Sequence, residues 1–126
     1  METWSFRDTF STLDQMRLVL RRALDDARNH LPVEEETWYD IKVILHELCC
    51  NALEHGKHPV ELYSAMCDID HMLHILVADS GGGFIPGITL ADTFAERGRG
   101  LAIVDHLATD LMFNETANKV LVRIAI

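Results

Sequence analysis

Apolar residues recur at two different periods along this chain, and the switches between periods mark its elements. Trp4, Phe6 and Phe10 alternate with polar neighbours, which predicts a short first strand. Ser11 or Thr12 can cap a helix that follows. Leu13, Met16, Leu20, Ala23, Leu24 and Ala27 then recur at helical steps, one apolar stripe of an amphipathic helix running to about His30. Arg17, Arg21, Arg22, Asp25 and Asp26 mostly fill its other side and read as a solvated face.

Pro32 interrupts that pattern, and Glu34, Glu35 and Glu36 favour a new helix start through the helix dipole. The second helix is expected from about Val33 to His55, with Trp38, Ile41, Ile44, Leu45, Leu48 and Ala52 as its stripe. Gly56 is placed to end it, and Pro59 prevents its continuation. Val60–Cys67 and Met72–Ala78 alternate as strands around a hairpin turn at 68–71. A glycine-bearing loop, Asp79–Gly100, leads to a helix from Leu101 to about Ala108 with Ile103, Val104 and Leu107 inward. Strands Leu111–Glu115 and Val120–Ile126 close the chain around a polar turn, Thr116–Lys119. This order suits a two-layer α/β sandwich of the α+β kind, with helices on one face of a mixed, mostly antiparallel sheet.

Composition narrows the classes. At 126 residues the expectation is one domain, 1–126, able to bury a core without disulfides. No apolar run is long enough for a helical membrane span, and METWSFRDTF is too polar for a secretory signal, so the cytoplasm is the expected compartment. The net charge of −9 disfavours nucleic acid, whose binding draws on basic groups. It does not disfavour a small polyphosphate, which backbone N–H groups, a helix end and a divalent cation can hold locally. Cys49, Cys50 and Cys67 lack a C-x-x-C spacing and read as reduced, small hydrophobes.

Glu47, Asn51 and His55 stand four residues apart and line one edge of the second helix. They flank its apolar stripe, so they must satisfy one another, nearby backbone or a ligand. His46 and Cys50 could instead contribute to a zinc site, although no third ligand is evident and Cys50 stands where H-E-x-x-H needs its second histidine. Asp79 follows a strand and precedes Gly81, Gly82 and Gly83, an acceptor beside backbone that a ligand can approach closely. A plain capped loop is the competing reading. Gly98, Arg99, Gly100 and Leu101 open the third helix, where glycine backbone, N-terminal N–H groups and an arginine suit phosphate. Hinge glycines would look the same.

In order, E-L-x-x-N-A-x-x-H-G, D-x-G-x-G-F and G-R-G-L-x-I-V resemble the GHKL (histidine-kinase-like) ATPase superfamily, the group of gyrase, Hsp90, histidine kinases and MutL. Within it the chain is similar to the anti-sigma-factor serine/threonine-protein kinases, over nearly its whole length. The resemblance implies a Bergerat-type fold, ATP and Mg²⁺. It implies that Asn51 ligates Mg²⁺, Glu47 is the general base, and His55 lines the phosphate end. It implies that Asp79 binds the adenine amine, Gly81 and Gly83 shape the pocket floor, and Gly98, Arg99, Gly100 and Leu101 wrap the phosphates as part of a short lid; the glycines separately predict a mobile loop from about Gly82 to Arg99. The partners it implies are an anti-anti-sigma-type antagonist and a sigma factor, with a homodimer common in the family. Asn118-Lys119 departs from the glycine turn of relatives, and the loop 82–87 lacks their second acidic residue. No phosphoacceptor-histidine helix pair is expected here, which speaks against a complete sensor histidine kinase. The alternatives are a non-catalytic, nucleotide-gated module that sequesters a regulatory partner, and a zinc hydrolase.

Overall fold

A computed structural model of the chain describes residues 2–81, 99–114 and 118–126. The elements are β1 (Glu2–Phe10), α1 (Leu13–His30), α2 (Glu35–His55), β2 (Val60–Cys67), β3 (Met72–Ala78), α3 (Arg99–Leu107), β4 (Asp110–Phe113) and β5 (Lys119–Ala125). The strands form one sheet in the order β1-β2-β3-β5-β4, and every pairing among the described residues is antiparallel. The helices pack on one face, giving the two-layer α+β sandwich that the element order predicts. No helix among the described residues is long and apolar enough to cross a membrane.

Register explains the core. Leu62, Val77 and Val120 stand in one cross-strand row, and Ile75 pairs with Val122 in another. All five are buried in the single core formed with the helices. Phe10, Met16 and Ile44 complete the best-covered set, each contributing roughly 1.5–3 kcal/mol by leaving water. The α2 stripe is buried as its periodicity predicts. In α1, Val19 joins the buried face, while Leu13, expected on the stripe, stays 46% exposed in the first turn.

Boundaries shift for local reasons. Thr12 caps α1 by accepting from the Gln15 N–H at 3.2 Å, and the Gln15 side chain accepts from the Ser11 N–H at 2.8 Å. Helix α2 begins at Glu35, two residues later than expected. Pro32 holds Leu31 extended, and Glu34 remains extended at φ −69°, ψ 153°. Helix α3 begins at Arg99, earlier than expected, and it packs on α2 with Leu101 inward at 1% exposure, while Ile103, expected inward, stays outside at 42%. Strand β4 starts at Asp110; its expected end at Glu115 lies outside the described residues.

The charge run on α1 is more than a solvated face. Asp26 accepts a hydrogen bond from the Trp4 indole at 2.9 Å, and Arg22 pairs with Asp8 at 3.0 Å, so both tie α1 to β1. On the open face of the sheet, Asp70 accepts from the Met72 N–H at 2.9 Å and contacts the His74 ring at 2.8 Å. Arg123 lies 3.8 Å away and also pairs with Asp110, which links the β2–β3 turn to β5 and β4. The Met72 N–H chiefly, with the His74 ring and Arg123, holds the Asp70 carboxyl below the usual carboxylate range. Stability from a lowered carboxyl pKa is present at neutral pH and is lost as pH falls through the lowered value. Asp70→Asn is therefore expected to melt below the parent protein at about pH 7, with the gap closing as pH falls below the ordinary aspartate value of about 3.9. Thermal melts across that range check this; a gap independent of pH would refute it.

Candidate functional site

Helix α2 carries the predicted polar row, and packing grades it along the helix. Glu47 is half-buried, Asn51 is 8% exposed and His55 is exposed. The His55 ring lies 3.7 Å from its neighbour Glu54. Asn51 has no such local satisfaction: its Nδ2 is buried and finds no hydrogen-bond partner among the described residues. An unpaired buried amide costs roughly 1–3 kcal/mol. An unpaired Nδ2 is a donor, so what recovers that cost is a ligand acceptor such as a phosphate oxygen, while Oδ1 is the Asn51 atom that could face a metal.

Glu47 shares its surroundings with Cys50 and Arg17. Burial pushes the Cys50 thiol up, the Glu47 and Glu54 carboxylates push it further, and Arg17 opposes them. Cys49, one residue earlier, is buried and is raised by burial first and Cys50 second. Neither thiol is poised for nucleophilic chemistry, in keeping with the hydrophobic reading of the cysteines. The Cys50 sulfur lies 3.7 Å from His46 Nε2, but the zinc reading finds no set of three His, Cys, Asp or Glu ligands among the described residues.

Asp79 stands where β3 ends, against the end of α2. Its Oδ1 accepts from the Gly81 N–H at 2.7 Å, and the Lys57 N–H lies 3.4 Å away. No described residue bonds Oδ2, which leaves an acceptor for a ligand amine. This placement depends on Gly56. A Cβ there would come within 2.5 Å of the Asp79 carboxyl carbon. At φ −97° the backbone of Gly56 suits any residue, so glycine is needed for space.

The loop is pinned from both sides. The Asp79 N–H donates to Asn118 O at 2.9 Å, the Ser80 N–H donates to Lys57 O at 2.8 Å, and the Ser80 hydroxyl donates to Pro59 O. The Asn118 amide donates to Gly81 O at 2.9 Å. Asn118, a departure from the glycine turn at the level of sequence, thus holds the glycine loop by a bond that glycine could not make.

Of the remaining predicted residues, Gly81 sits at the loop's start, beside Asp79. Arg99 and Gly100 form the first turn of α3, which packs along α2. Leu101 is a core residue, so only its backbone is available to a phosphate. Gly83, Gly98 and most of the expected mobile loop from Gly82 to Arg99 lie outside the described residues. Helix α2 therefore joins Glu47 and Asn51 on one edge to Asp79 at its end and α3 at its side. Gly56 and Asn118 are the positioning residues that sequence reasoning missed. The H-G step after the polar row was a signal for the first; nothing local marks the second.

A family model described as a histidine kinase-like ATPase domain matches residues 9–125. A comparison with curated proteins found no match. Two outcomes follow from the geometry. Gly56→Ala must displace the Asp79 carboxyl, costing roughly 1–3 kcal/mol of stability and shrinking the shift in melting temperature that Mg·ATP produces. Asn51→Ala breaks no hydrogen bond within the described protein, so the unliganded melt should change by less than about 1 kcal/mol while the Mg·ATP shift disappears. Paired melts with and without nucleotide measure both; an undiminished Mg·ATP shift in Asn51→Ala would remove that residue from the site.

Proposed function

The chain belongs to the histidine kinase-like ATPase family, and on that footing we propose that it is an ATP-dependent serine/threonine-protein kinase of the anti-sigma-factor type. The observation that carries this reading is the pairing of Asn51, buried with an unsatisfied amide, and Glu47, half-buried one turn away on the same helix edge.

Asp79, whose carboxyl fills the space Gly56 leaves, would take the adenine amine on Oδ2. Asn51 would hold Mg²⁺ through Oδ1 and donate from Nδ2 to a phosphate oxygen, and the backbone at Arg99 and Gly100 would face the phosphates from the start of α3. When bound, Mg²⁺ neutralises charge on the phosphates. Glu47 would take the proton from a substrate serine or threonine hydroxyl. As that oxygen bonds to the γ-phosphorus, the bond from the γ-phosphorus to the bridging oxygen breaks and ADP leaves. Phosphoryl transfer asks little more of the protein than such positioning and charge neutralisation. The substrate is a small antagonist of the anti-anti-sigma type in a partner-switching system, with a sigma factor as the second partner.

The test is label transfer from γ-labelled ATP to a candidate antagonist. Glu47→Gln should lower transfer roughly 10²–10⁴-fold and leave the nucleotide-induced melting shift in place. Undiminished transfer in that variant would dismiss Glu47 as the base. Nucleotide binding without transfer to any antagonist would favour the sequestering module.

A further inference from the structure

A groove of about 640 Å³ runs between α1 and α2, with Met16, His46 and Glu47 among its lining residues. Beside it three soft side chains meet. The Cys50 Sγ on α2 lies 4.0 Å from the Met16 Sδ on α1 and 3.7 Å from His46 Nε2, one turn earlier on α2. Met16 is wholly buried, Cys50 is half-buried and His46 is exposed, so the set runs from the core out to solvent. Each contact alone has an ordinary explanation. A thiol donates weakly to a thioether, and residues four apart on a helix are neighbours.

The two lengths together say more. First-row metals bond sulfur at about 2.3 Å and imidazole nitrogen at about 2.0 Å. Around a trigonal centre, bonds of those lengths set two sulfurs about 4.0 Å apart, and a sulfur and a nitrogen about 3.7 Å apart. Both edges that meet at Cys50 have these lengths before any metal is added. His46 Nδ1 is 3.9 Å from the same sulfur, so the ring has only to rotate about its Cβ–Cγ bond to aim Nε2 at a shared ion. The exposed ring is free to make that turn.

Ligand softness then selects the metal. Zinc takes thiolate, imidazole and carboxylate, and a thioether offers it little, which is why counting only His, Cys, Asp and Glu finds no site. A thiolate beside a thioether suits Cu(I). The Glu47 and Glu54 carboxylates act on the Cys50 sulfur and favour positive charge there, against the opposing Arg17.

We propose that Met16, His46 and Cys50 form a trigonal site for Cu(I). On binding, the Cys50 S–H bond breaks, its proton passes to solvent, and the sulfur electron pair bonds to copper. No oxidation state changes. The ion would cross-link α1 to α2 one turn from Glu47. It needs neither nucleotide nor phosphoryl transfer, so the proposal stands or falls apart from the kinase reading.

The probe is Cu(I), supplied under argon as its complex with the chelating dye bicinchoninate, whose loss of colour reports transfer to the protein. One ion per chain is expected to move. Partners that merely orient a metal ligand are worth roughly 10–100-fold in affinity, so Cys50→Ser, His46→Ala and Met16→Leu should each weaken binding at least about tenfold. Met16→Leu conserves core volume. Each variant is first melted, and His46→Ala, at an exposed position, carries the test if Met16→Leu does not fold. Cys49→Ala and Cys67→Ala remove the other two thiols and should leave the affinity unchanged. X-ray absorption at the copper edge should show two sulfurs at about 2.3 Å and one nitrogen at about 2.0 Å. Undiminished affinity in His46→Ala or in folded Met16→Leu would overturn the site. So would an equal loss in Cys67→Ala, a copper shell without nitrogen, or displacement of the copper by an equal concentration of Zn(II).

Discussion

The Asp79 carboxyl occupies the volume that a side chain at position 56 would need, and the site is organised by that exclusion. It brings the end of β3 against the end of α2 more closely than two substituted residues allow. The carboxyl then divides its work. One oxygen holds the start of the glycine loop, and the other faces no described partner. A longer spacing would leave the loop without its anchor, and a tighter bonding network would consume the acceptor a ligand needs.

Helix α2 is a partition with three faces. One buries Trp38, Ile41, Ile44, Leu45 and Leu48 and locks the helix in place. The second carries Asn51, whose unpaired buried amide is a local cost that the core outweighs: roughly 1–3 kcal/mol against several large side chains worth a similar amount each. The third faces the groove shared with α1. Because the first face is rigid, the angular relation between the other two is fixed. Glu47 stands between them by helix geometry, without any mobile element to place it.

The sheet supplies the frame at both ends. Trp4–Asp26 and Asp8–Arg22 hold α1 to the edge strand, which sets one wall of the groove. Asn118, at the start of β5, holds Gly81 across the top of the sheet. On the far face, Asp70, His74, Arg123 and Asp110 join the β2–β3 turn to β5 and β4, whose connection carries that asparagine. The same antiparallel register that makes the core rows also puts these polar groups in reach of one another.

Periodicity is a local property, set by how side chains leave a helix or strand, and it was legible in the chain itself. It marked the strands, the helices and the α2 stripe, and with residue type it picked out Glu47, Asn51 and Asp79. Boundaries slipped where proline or a helix start decided them within one turn. Contacts between distant residues carry no such local signature. The fit of Gly56 to Asp79, the bond from Asn118 to a glycine 37 residues away, and the contact of Met16 with Cys50 between α1 and α2 exist only after the chain has packed. The inward turn of Leu101 in place of Ile103 belongs with them, since α3 was rotated by its packing on α2 and not by its own pattern. Residue order was enough to place the polar groups on one helix edge and at one strand end; the tertiary fold decided which of them remain unsatisfied there, because satisfaction depends on neighbours in space.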